Sequence, residues 1–112
     1  MPQSLARVVL HLTFSTKNRQ TWFKEKSLRD ELFAYMAGIL HNFDSPAIII
    51  NGVEDHIHVL FSLSRNHAIK DILRDLKADS STWLKKQLKA FEAFAWQARY
   101  AVFSVSESMF PQ

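Results

Sequence analysis

The segment His56-Ile57-His58-Val59-Leu60-Phe61-Ser62-Leu63 constrains the fold more than any other part of the chain. Ile57, Val59, Phe61 and Leu63 recur at every second position, the period of a β-strand, whose successive side chains point to opposite faces. One face of this strand is apolar and demands a covering layer. The other presents His56 and His58, with Cα atoms about 6.5–7 Å apart at the rise of a strand. Two imidazoles so placed can converge on one metal ion, or they are polar surface and nothing more. A metal needs at least a third ligand and an open position; His11 and Glu54 are the candidates.

The rest of the chain supplies the covering layer. Residues 5–15 alternate in the same way, with Ala6, Val8, Leu10, Leu12 and Phe14 on one side. Ser27 is an expected N-cap, with Asp30 and Glu31 in the first turn, where the helix dipole favours negative charge. Leu28, Leu32, Tyr35, Met36 and Ile39 then follow a one-sided helical spacing, ended by Asn42 and Pro46. Ala47-Ile48-Ile49-Ile50 pairs with the His56 strand as a hairpin, since Asn51-Gly52 and Glu54-Asp55 both carry turn chemistry. Asn66 is the expected cap of a second helix with the stripe Ile69, Ile72, Leu73, Leu76, Trp83, Leu84 and Leu88. Ser80-Ser81-Thr82 is where that helix would bend or break. Residues 94–105 read as a last strand. The order βαββαβ predicts an α+β, ferredoxin-like fold, an antiparallel sheet with two helices on one face.

At 112 residues with no linker, repeat or low-complexity tract, residues 1–112 read as one domain. Cysteine is absent, which excludes disulfides, thiolate metal sites and a cysteine nucleophile. Apolar runs are far shorter than the roughly 20 residues of a membrane span, and Met1 to Arg7 carries no signal-peptide pattern. The expectation is a soluble cytoplasmic protein with no membrane partner.

Fourteen Lys and Arg against 11 Asp and Glu leave a net charge of +3, a mild basic excess compatible with a polyanion partner. Lys70, Arg74, Lys77, Lys85 and Lys89 sit at near-helical spacing with Ser81 in the gap, a row that can follow a phosphate backbone. Asp71, Asp75 and Asp79 run beside it, so a solvated helix of mixed charge accounts for it equally. Lys17 and Arg19 add two cations after the first strand. Phe94, Trp96 and Tyr100 share a strand face, suited to core packing or to stacking on bases.

Four stretches occur in order along the chain: His11-Leu12-Thr13-Phe14-Ser15-Thr16-Lys17-Asn18-Arg19, Asp55-His56-Ile57-His58-Val59-Leu60, Leu76-Lys77-Ala78-Asp79-Ser80-Ser81, and Phe94-Ala95-Trp96-Gln97 with Tyr100-Ala101-Val102-Phe103-Ser104-Val105. Together they resemble the single-tyrosine HUH transposases, the bacterial insertion-sequence transposases and their repeat-associated relatives. The resemblance implies a metal-dependent endonuclease and strand transferase acting on single-stranded or hairpin DNA, working as a homodimer. It implies that His56 and His58 hold Mg²⁺ or Mn²⁺ as a Lewis acid at the scissile phosphate. A tyrosine then attacks to leave a covalent 5′-phosphotyrosine. DNA contacts are expected from Lys17, Arg19, Lys70, Arg74, Lys77 and Ser81.

In the family that tyrosine lies on a helix after the last strand, followed four residues later by a Gln that is the third metal ligand. Tyr35 and Tyr100 are followed at that spacing by Ile39 and Ser104. Neither is expected to be the nucleophile, whose place falls after Gln112. Ser106 and Ser108 resemble the cap of that helix. A DNA-binding relative without catalysis is the alternative.

Overall fold

Leu10, Leu12 and Phe14 stand across from Phe61, Val59 and Ile57 in an antiparallel register, so the two alternating segments merge into one apolar face. The computed structural model, which describes residues 8–105, is built outward from this pair. Strand β1 (Val9–Thr16) leads to helix α1 (Lys26–Asn42), then to the hairpin β2 (Ala47–Gly52) and β3 (His56–Ser62). Helix α2 (Ile69–Gln87) and strand β4 (Trp96–Val105) complete the order. The sheet runs β2-β3-β1-β4 with every pair antiparallel. This is the βαββαβ, α+β arrangement expected from the sequence.

The apolar face meets both helices in one core. Leu32, Met36, Ile39 and Leu40 of α1 and Ile72, Leu73, Leu76 and Leu84 of α2 are buried with Leu10, Leu12, Phe14, Ile57, Val59 and Phe61. Burying such a side chain contributes roughly 1.5–3 kcal/mol, which decides the face on which the helices lie. An aromatic cluster closes one end: Phe14 and Trp96 meet edge-on at 4.7 Å, and Phe94 packs against Trp22, Phe23 and Trp96. It clamps the segment after β1 against the start of β4. The opposite sheet face carries His11, Thr13, His56 and His58.

Several local expectations are corrected. Helix α1 begins at Lys26, not after Ser27, and Glu25 flanks it without a side-chain cap. Buried Phe23 and the Arg29 guanidinium, donating to the Phe23 and Lys24 carbonyls, draw the chain into the helix early. Asp30 and Glu31 therefore lie past the first turn. Tyr35 is on the rim of the core, stacked on Trp83 at 5.3 Å. Asn66 does not cap α2; its N–H donates to the Ser64 hydroxyl in a turn, and the helix starts after Ala68. Ser80 and Thr82 do not break α2, because their hydroxyls donate to the Leu76 and Ala78 carbonyls inside the helix. Leu88 is extended and half exposed just beyond the helix. Asn51-Gly52 belongs to β2, and the turn is Val53 to Asp55. Strand β1 begins at Val9, and the part of its expected span at residues 5–7 lies outside the described residues, as do Ser106 and Ser108. Phe94 precedes β4 and is buried in the core.

Candidate functional site

The β1–β3 register places Thr13 across from His58 and Ser15 across from His56, while His11 faces Leu60. His11 is thus the diagonal neighbour of His58 on the same face, within reach of a long side chain. The three atoms His58 Nδ1, His11 Nε2 and Thr13 Oγ1 form a tight triangle. The two histidine nitrogens are 3.1 Å apart, Thr13 is 3.1 Å from His58, and Thr13 is 3.4 Å from His11. The His56 and His58 rings stand edge to face, 5.0 Å between centroids. Burial, and then the neighbouring His56 and His11, hold the His58 pKa below the ordinary imidazole value of 6.5. His58 is therefore neutral near pH 7, the form that can ligate a metal.

His56 is held from the turn before it. Its Nδ1 lies 2.8 Å from Asp55 Oδ1, and the other Asp55 oxygen accepts from Arg19 Nε at 3.1 Å. The hydrogen bond from His56 and the Arg19 guanidinium keep the Asp55 carboxyl below its usual pKa. An ionised carboxylate only accepts, so His56 donates from Nδ1, and in the neutral ring Nε2 is the nitrogen that carries the lone pair. That carboxylate–histidine arrangement is the usual outer support of a metal-bound imidazole. Buried Thr16 anchors the loop, its hydroxyl donating to the Gln20 carbonyl at 2.7 Å while its N–H donates to the Asp55 carbonyl. Arg19 and Asn18 adopt left-handed backbone, φ 55° and 58°. For arginine this costs on the order of 1 kcal/mol, so tertiary contacts hold it there, beside Asp55.

The donor chemistry of His56 and His58 fits a divalent ion. Among the described residues no group of three or more His, Cys, Asp and Glu is arranged to hold one. His11 turns its Nε2 towards His58, and Glu54 is exposed in the turn, its carbonyl accepting from the Phe23 N–H. Both were expected as third-ligand candidates; one supports a neighbouring ring and the other a loop.

The sequence profile of the family described as "Transposase IS200 like" matches residues 4–111. The chain belongs to the IS200-like transposase family. Its fold is similar to that of a protein from Deinococcus radiodurans R1 described as an inferred transposase, with a TM-score of 0.81 and 20% identity, covering 96% of this chain and 85% of the other. It is also similar to a REP-associated tyrosine transposase solved bound to a REP hairpin, with a TM-score of 0.66 and 13% identity. That match covers 89% of this chain and 57% of the other. No curated protein matches.

The basic residues that the sequence of this transposase family member offers for DNA contact fall in three places. Lys17 and Arg19 are exposed beside Asp55, next to the histidine face. Lys70 is exposed at the start of α2, and Arg74 is paired with Asp71 and Asp75. Lys77 is half-buried; its ammonium donates to the Gln97 and Ala98 carbonyls at the start of β4, and burial lowers its pKa. Ser81 is half-buried on the same helix. Tyr100 stands across from Phe14, so it lies on the helix side of the sheet, and Tyr35 stacks on Trp83. Neither shares the face of His56 and His58. Asp55 and Thr13, which sequence reading treated as turn and strand residues, are the ones the fold adds to the site. The Asp directly before His56 was the available signal. No helix among the described residues is long and apolar enough to cross a membrane.

Proposed function

We propose that this protein is a DNA transposase of the single-tyrosine HUH type, in which His56 and His58 hold a divalent cation, Mg²⁺ or Mn²⁺. The observation that carries this reading is the pair itself: two imidazoles on the helix-free face of one central strand, one with Nδ1 committed to Asp55. The ion would supply Lewis acidity at a scissile phosphate. The chain's own residues orient the ligands and meet the nucleic acid. Lys17 and Arg19 flank the histidine face, while Lys70, Arg74 and Ser81 on α2 are further backbone contacts that give affinity rather than sequence choice, joined by Lys77 only when its ammonium leaves the Gln97 and Ala98 carbonyls. The partner is single-stranded or hairpin DNA, a reading supported by the similarly folded tyrosine transposase bound to a REP hairpin. The protein works in the cytoplasm as a homodimer.

A second reading, a DNA-binding relative that does not cut, is favoured by the placement of Tyr35 and Tyr100 away from the histidines. The deciding experiment incubates the protein with a short hairpin oligonucleotide and Mn²⁺ and runs native and denaturing gels. A metal-dependent covalent protein–DNA band, lost in His56→Ala, supports the transposase and makes Tyr35 or Tyr100 its nucleophile. Hairpin binding without nicking at any Mn²⁺ concentration supports the second reading. Equal affinity for duplex and hairpin overturns both.

A further inference from the structure

The metal reading leaves unexplained why His11 sits against His58, and its position carries a consequence for the chemistry of that ring. A neutral imidazole has one N–H and one in-plane lone pair, and only the bare nitrogen can ligate a metal. At 3.1 Å, His58 Nδ1 and His11 Nε2 share one proton in a hydrogen bond. If the proton sits on His11, His58 carries its own on Nε2 and cannot bind a cation there. If it sits on His58 Nδ1, Nε2 is free.

We infer that His11 is a positioning residue that accepts the Nδ1–H of His58 and so keeps His58 Nε2 available as a ligand. Two neighbours converge on His58 Nδ1 at the same distance, His11 Nε2 and Thr13 Oγ1, each at 3.1 Å. As a donor, the single N–H of His58 is shared between both acceptors, a common three-centre arrangement. As an acceptor, its one lone pair would have to serve two donors, or His11 would have to give its Nε2–H to Thr13 across their longer 3.4 Å contact. The arrangement then matches that of His56, whose Nδ1 is directed at Asp55. Both rings turn Nδ1 into the protein and present Nε2. Asp55 does this from the turn for one ring, and His11 with Thr13 does it from β1 for the other. Because His11 spends its own Nε2 lone pair on this bond, it is a support and not a third ligand.

This inference rests on the reading of His56 and His58 as metal ligands, but its first test needs no metal. Long-range ¹H–¹⁵N NMR of the histidine rings in the whole, metal-free protein near pH 7 reads the tautomers directly. The expected spectrum has His58 protonated on Nδ1, with that preference weakened in His11→Ala, where Thr13 alone remains to accept, and restored in His11→Gln, whose side-chain oxygen accepts. His56 keeps its pattern in both. Calorimetric titration with Mn²⁺ should show affinity weakened by about 10–100-fold in His11→Ala and recovered in His11→Gln. Protonation of His58 on Nε2 in the wild-type protein overturns the inference without any variant. So does an unchanged tautomer preference in His11→Ala. If the wild-type protein binds no Mn²⁺ while His58 is protonated on Nδ1, the metal reading fails and the tautomer assignment stands.

Discussion

His56 and His58 share a strand face but are held by different neighbours. Asp55 fixes His56 with a full charge, while burial, and then the neighbouring imidazoles of His56 and His11, disfavour the imidazolium of His58. The folded pKa of His58 is therefore below its unfolded value of 6.5. Stability rises with pH wherever the unfolded chain binds more protons than the folded one. For His58 that window runs from 6.5 down to its lowered folded pKa, so acid costs stability there and no more is lost below it. Urea midpoints compared at pH 7 and pH 5 should fall on acidification, and the fall should be smaller in His58→Gln. An equal fall in the variant would remove His58 as a source of acid sensitivity.

Gly52 is the other residue on which the site depends. A Cβ there would lie 2.6 Å from the His56 carbonyl oxygen and 3.1 Å from Ile57 Cα, both backbone atoms. Gly52→Ala must therefore push β2 away from β3 beside His56. The expected result is a protein less stable by about 1–3 kcal/mol, with weakened Mn²⁺ binding; a variant as stable as the parent would show that the hairpin end yields freely.

At the level of elements, α2 has a different relation to its charges from the one its spacing suggested. Lys70 and Arg74 extend from the solvent side, as a phosphate-binding row would. Lys77 instead reaches the carbonyls of Gln97 and Ala98 and ties the helix to the entry of β4. Ser80 adds a second tie, accepting from the Trp96 indole N–H at 3.0 Å. Lys77→Ala should cost about 1 kcal/mol of folding stability, the net worth of a partly exposed hydrogen bond, whereas Lys70→Ala should cost nothing measurable by denaturant melts. Equal losses would place Lys77 on the surface with the others. The alternation of β1 and β3 was legible because a period of two decides which face is buried. The caps were not. Ser27 and Asn66 have the right chemistry, but Arg29 and the Ser64 turn, set by tertiary packing, moved the helix starts. Likewise Ser80-Ser81-Thr82 reads as a breaker in one dimension, yet the helix absorbs its Ser80 and Thr82 hydroxyls.

Over the whole molecule, covering one sheet face with both helices leaves the other free to carry chemistry, and the central strands β1 and β3 bring His11, Thr13, His56 and His58 together there. The histidine pair of β3 was readable from sequence spacing alone. Its support was not, because Asp55, Arg19 and His11 reach it through a loop contact and a diagonal across two strands, relations that no local period encodes. The family profile, spanning residues 4–111, takes in all six of these elements. On the function proposed above, His56 and His58 together hold a divalent ion. Titrating Mn²⁺ into the metal-free protein by calorimetry, in parallel with His56→Ala and His58→Ala, tests it most directly. Saturable binding to the parent protein is expected, and its loss in both variants while their folds persist by circular dichroism. Binding of equal strength in either variant would contradict it.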